Sequence, residues 1–217
     1  FRTLRHDLSD WDHYWVISPG ATYAPEGARP LVRLSREYFE RLADSRIVIA
    51  NAALPKHFRR RDGQVVLQTW HGTPLKRLRL DMITFEHVRA GYAADSIVEA
   101  EQWTHLISPS PYCSGIFPRA FAFSNELLEI GAPGNDRLID PDDDEVIAIR
   151  ERVGLAAHQR VVLFAPTWRD NQRTATGATA ELGWDPERLL ASLDNDTLVL
   201  FRAHNMVSSV RGMGADD

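Results

Sequence analysis

A succession of short apolar runs, each broken off by a polar or Gly/Pro turn and separated by stretches of helical spacing, restricts this chain to few folds. Arg46 to Asn51, Val65 to Leu67, Trp103 to Ser110, Arg160 to Ala165 and Thr197 to Phe201 have strand length and are rich in Val, Ile, Leu and Phe. An earlier strand is expected to end near Ile17, followed by a turn-rich surface loop through Pro30. Between these runs, Leu31 to Ala43 places Leu31, Leu34, Tyr38, Phe39 and Leu42 at helical intervals. Residues 92–103, Tyr112 to Phe121, the stretch that follows the acidic tract Asp140 to Glu145 as far as about Val153, and Pro186 to Leu193 also read as helices. Strand, helix, strand in repetition predicts an α/β fold with a parallel sheet and crossover helices.

The run Val65 to Leu67 stops at Trp70-His71-Gly72-Thr73-Pro74, with Lys76 one turn on. This puts His71 at the carboxyl end of a strand, where open α/β sheets bind ligands. Gly72 lets backbone approach a ligand, Thr73 offers a hydroxyl and Lys76 a positive charge, a set suited to a phosphate-bearing substrate. The same residues also fit a plain tight turn holding a hydrogen-bonded structural histidine.

Residues Gln68 to Lys76 resemble the signature of the CDP-glycerol glycerophosphotransferase family, enzymes that prime and polymerise teichoic acids. Two further segments resemble that family: Gly131 to Asp136, with Gly134 where a basic residue is more usual, and Ala165 to Asp170. The resemblance implies two Rossmann-like lobes of the GT-B type, with residues 1–138 as an acceptor-side lobe and 139–217 as the start of a nucleotide-binding lobe. It implies transfer of glycerol phosphate from CDP-glycerol to the hydroxyl end of a teichoic acid or lipid-linked acceptor, releasing CMP, without a metal or other cofactor.

On this reading His71 is the general base and His204, with Arg169 and Arg202, steadies the diphosphate and the departing CMP. Trp70, Gly72, Thr73, Lys76, Asn135, Arg137, Thr167 and Asp170 complete the substrate-binding set. Trp168 fits either core packing or nucleotide contact, and residues 171–183, rich in Thr, Ala and Gly, read as a mobile loop. The family's Asp-Tyr-Ser-Ser donor segment has no counterpart before Asp217, and the chain opens on Phe1 rather than methionine. A piece of a longer protein, with its second lobe truncated, is therefore expected.

Charge and composition exclude other classes. A net charge of −5 argues against general nucleic-acid binding. One cysteine, Cys113, permits no intrachain disulfide and reads as a small buried residue. Gly-x-Gly-x-x-Gly, Walker and metal-type His/Cys spacings are missing from the sequence, as are internal repeats. No apolar stretch approaches the ~18 residues of a membrane span, so a soluble or peripheral chain on the cytoplasmic face of the cell membrane is expected. Lys56, His57, Arg59, Arg60 and Arg61 form either a solvated loop or a landing patch for anionic polymer or membrane. A non-catalytic module using that patch is the reading from another class; within the enzymes, a ribitol-phosphate or nucleotide-sugar donor is the alternative.

At the other strand ends, Ser108 and Ser110 are candidates for substrate contact. Ser110 also fits as the cap of a helix starting at Pro111, and His105, inside a strand, reads as structural.

Overall fold

The computed structural model describes residues 1–83, 90–165, 173–174, 177–181, 186–202 and 207–211. These divide into two compact units, Phe1–Ile139 and Asp140–Asp217.

The first unit runs α1 (Arg2–Asp7), β1 (Tyr14–Ile17), β2 (Arg29–Val32), α2 (Arg36–Asp44), β3 (Ile47–Ala50), β4 (Val65–Gln68), α3 (Tyr92–Ala100), β5 (His105–Ser108), α4 (Pro111–Phe121), β6 (Glu126–Glu129) and α5 (Asp136–Ile139). Strands β3, β4, β5 and β6 lie side by side in chain order, all parallel. Register pairs Val48 with Val66 and Gln68 with Leu106, so these side chains share one face. That face is the core side. Val66, Gln68 and Leu106 are fully buried, in one body with Tyr38 and Leu42 of α2, Ala100 of α3, and Cys113, Phe117 and Phe121 of α4. On the opposite face Ile47 and Ile49 stay 38% and 49% exposed.

Helix starts follow their caps. Ser110 Oγ accepts from the Cys113 amide with Pro111 at the first helical position, which is the capping reading rather than substrate contact. Ser108 is buried, its hydroxyl engaged with the Ser110 carbonyl and the Ser114 hydroxyl. The predicted helix from Leu31 is corrected: Leu31 belongs to β2, paired with Val16 of β1. Leu34 then takes a left-handed φ of 65°, and Ser35 Oγ accepts from the Tyr38 amide at 3.1 Å, so α2 begins at Arg36. The apolar spacing was real, but its first two members lie in a strand and a turn.

In the second unit, α6 (Asp143–Arg152) is capped by Asp142, whose carboxylate accepts from the amides of Asp144 and Glu145. There follow β7 (Arg160–Phe164), β8 (Arg173–Thr174), β9 (Gly177–Glu181), α7 (Pro186–Ser192), β10 (Thr197–Phe201) and β11 (Val207–Arg211). β7 and β10 pair in parallel from Arg160–Thr197 to Phe164–Phe201. The expectation of a loop across 171–183 is corrected at 173–174 and 177–181, which form β8 and β9; the rest of that range lies outside the described residues. β9 is held by β11, a partner far along the chain that no local sequence window displays.

Candidate active site

Each strand of the four-stranded sheet delivers polar groups to its carboxyl edge. Asn51 follows β3, Trp70 and His71 follow β4, Ser108 ends β5 and Glu129 ends β6. His71 is exposed, and its Nδ1 lies 2.6 Å from the carbonyl oxygen of Asn51. A carbonyl only accepts, so Nδ1 carries the hydrogen and, in the neutral ring, Nε2 presents its lone pair. That is the form a general base needs.

The turn around His71 is built against resistance. Trp70 has φ 53°, a left-handed conformation that costs a bulky residue of order 1–3 kcal/mol, and Gly72 has φ 155°. Gln68 supports this backbone from beneath. Its side chain is fully buried, accepting from the Trp70 amide at 2.9 Å and donating to the Ala52 carbonyl at 3.2 Å. The Trp70 ring stacks on the His71 imidazole, with centroids 4.2 Å apart and planes at 27°, and meets Phe121 edge-on at 4.8 Å. Pro74 is buried, and its carbonyl accepts from Tyr112 Oη of α4 at 3.2 Å. Thr73 and Lys76 are exposed on the same turn.

Behind Trp70 stands Arg79, itself left-handed at φ 42°, with its guanidinium carbon 5.6 Å from the Trp70 ring centroid. Arg79 meets Glu99 of α3 through two contacts, Nη1 to Oε2 at 3.0 Å and Nη2 to Oε1 at 3.3 Å. Burial pushes the Glu99 carboxyl above the ordinary glutamate value, against the downward pull of Arg79 and a backbone hydrogen bond involving Leu54. The pair walls one side of a cavity of about 300 Å³ also lined by Lys56, Phe58, Tyr92, Asp95 and Ser96.

Much of the basic tract is committed within the fold. Arg61 donates to the carbonyls of Ala43 and Asp44 at the end of α2, where a cation complements the helix terminus. Arg59 donates to the Lys56 and Phe58 carbonyls, and Lys56 pairs with Asp95 at 3.2 Å. His105 sits between Thr104 and Glu126, the structural role read for it.

The remaining candidates divide by location. Asn135 and Arg137 are exposed in the short helical turns after β6. Arg202 is exposed just past β10, its amide donating to the Phe164 carbonyl at the end of β7. Thr167, Trp168, Arg169, Asp170 and His204 lie outside the described residues. Sequence reasoning missed Gln68 as a support, the Asn51 carbonyl, Tyr112 and the Arg79–Glu99 pair. Only Asn51, closing an apolar run, carried a local signal.

The profile of the CDP-Glycerol:Poly(glycerophosphate) glycerophosphotransferase family matches residues 1–214. The chain belongs to this family. Among its glycerophosphotransferase relatives, the teichoic acid poly(glycerol phosphate) polymerase of Bacillus subtilis (strain 168) is 33% identical over 221 residues, covering 99% of this chain and 30% of the relative. The teichoic acid glycerol-phosphate transferase of Staphylococcus aureus (strain NCTC 8325 / PS 47) is 31% identical over 208 residues, 92% of this chain and 54% of its own length. The solved structure of the wall teichoic acid polymerase TagF superposes with a TM-score of 0.82 at 31% identity, covering 95% of this chain and 52% of that one. A variant of TagF soaked with CDPG gives a TM-score of 0.83 at 30% identity. The fold is therefore α/β of the GT-B type, and the chain spans between about a third and a half of the relatives it matches.

Proposed function

We propose that this chain is part of an enzyme that transfers glycerol phosphate from CDP-glycerol to the terminal hydroxyl of a teichoic acid acceptor. The observation that carries the reading is His71: a family-signature histidine at a strand's carboxyl end, tied through Nδ1 to the Asn51 carbonyl with Nε2 left as acceptor. Nε2 takes the acceptor's hydroxyl proton while that oxygen bonds to the phosphorus bearing glycerol. The bond from that phosphorus to the bridging oxygen breaks, and CMP leaves with the electron pair.

Charge developing on the CMP phosphate calls for cations. Arg202 sits at the end of β10, whose last residue Phe201 is paired with Phe164 of β7, so the segments leaving these two strands start from one edge. Those segments contain Thr167, Arg169, Asp170 and His204 in sequence, and we assign them, with Arg202, to the donor's diphosphate. Trp70, Gly72, Thr73, Lys76, Asn135 and Arg137 are assigned to substrate on the first unit. No metal or other cofactor enters this scheme. No helix among the described residues is long and apolar enough to cross a membrane. Peripheral attachment to the inner membrane face belongs to the proposal, motivated by a lipid-linked acceptor.

The test is transfer of labelled glycerol phosphate from CDP-glycerol to a teichoic acid primer by the longest natural form of the protein, alongside His71→Ala and His204→Ala. Loss in both variants supports a role in transfer for each histidine. Full activity in either removes that histidine from the mechanism, and an intact protein that neither transfers from nor binds CDP-glycerol overturns the reading.

A further inference from the structure

We propose that Arg79, clamped by Glu99, is a positioning residue for His71, acting through the Trp70 ring. This deepens the general-base reading of His71 and rests on it. Three contacts run in series from the helix layer to the imidazole. Glu99, anchored on α3, engages the Arg79 guanidinium by two contacts at 3.0 and 3.3 Å. Arg79 lies against the Trp70 ring at 5.6 Å, and Trp70 stacks on His71 at 4.2 Å. The two ends of this series are both fixed to backbone: α3 carries Glu99, and the Asn51 carbonyl holds His71 Nδ1.

Backbone conformation supports the assignment independently. Among the described residues only Leu34, Trp70, Arg79 and Ala122 are non-glycine residues with positive φ. Two of these are the partners in the cation–ring contact, and they flank the turn that carries His71. A left-handed tryptophan persists only where its surroundings over-determine it. Phe121 and the guanidinium contact the Trp70 ring, and Gln68 holds its amide. With side chains only 14% and 15% exposed, Arg79 and Glu99 are screened less than a surface pair, and a bidentate guanidinium keeps its plane fixed. Releasing the guanidinium frees Trp70 to leave the imidazole, and the ring of His71 then loses the orientation that presents Nδ1 to Asn51.

The readout is the neutral tautomer of His71, not activity. Long-range proton–nitrogen NMR spectra of histidine-labelled chain at alkaline pH report the ratio of Nδ1–H to Nε2–H forms, with His71→Gln assigning the signal. Arg79→Met and Glu99→Gln are expected to lower that ratio roughly fivefold, the scale of one lost cation–π contact. Arg79→Lys, which keeps the charge without the fork, should recover part of it. Leu42→Ala, which weakens the core away from the turn, should leave it unchanged. An unaltered ratio in folded Glu99→Gln and Arg79→Met overturns the proposal, as does an equal fall in Leu42→Ala; should Arg79→Met fail to fold, Glu99→Gln decides alone. Transfer assays answer a separate question: a His71 dispensable for transfer defeats the general-base reading while leaving the tautomer result standing.

Discussion

His71 Nδ1 and the carbonyl oxygen of Asn51 lie 2.6 Å apart, joining the tips of two adjacent parallel strands. Because the acceptor is backbone, no side-chain change at Asn51 removes it, so the experiment acts on the histidine. His71→Ala should reduce transfer by roughly 10²–10⁴-fold in the longest natural form of the protein, the scale of a lost general base. Since His71 is exposed, the urea midpoint of the chain should move little. A large fall in stability with transfer intact would make the histidine structural.

Gly72→Ala separates space from conformation. A Cβ built at Gly72 meets nothing within 4 Å, yet φ is 155°. The substitution should therefore destabilise the turn by more than about 1 kcal/mol without any clash. Urea unfolding measures this; a neutral result would mean the turn relaxes freely.

Glu99 gives a pH signature. Its carboxyl is raised in the fold, chiefly by burial, so the folded chain holds this proton more tightly than the unfolded chain. The stability it contributes is full below the ordinary glutamate value and is lost as pH rises through the folded value. Glu99→Gln should remove that falling component from a plot of unfolding free energy against pH. Superimposable pH profiles for the two proteins would contradict it.

Gln68→Leu keeps bulk but removes both hydrogen-bonding ends of a fully buried side chain, leaving the Trp70 amide without its acceptor. A loss of about 1–3 kcal/mol is expected by chemical denaturation. Phe117→Ala, in the fully buried core under the sheet, should cost about 3–5 kcal/mol and serves as the scale for comparison.

The first unit's sheet was legible because its strands are short apolar runs that end where the polar residues begin, as at Val65 to Leu67 before Trp70 and His71. Ser110 before Pro111 announced its helix and caps it, and the acidic residues from Asp142 to Glu145 marked a helix start by charge, where Asp142 proves to be the cap. Leu31 misled because a buried strand residue and a helix residue look alike when three or four positions separate them from the next apolar side chain. β9 and β11 were hidden because a Thr/Ala/Gly segment becomes a strand only through a distant partner. At the site, His71 stood out from its neighbours, whereas Arg79 read only as one of the basic residues, with Lys76 and Arg77, that extend positive charge past the His71 turn, and its contacts with Trp70 and Glu99 came from folding alone.

The buried amide of Gln68 bears on how a substrate is received. With its two ends holding the chain on either side of the β3 and β4 tips, the backbone there surrenders its freedom during folding rather than at encounter. On the proposed reading, a substrate reaching this turn would meet a surface already set, so little of its binding energy would be diverted to ordering the protein.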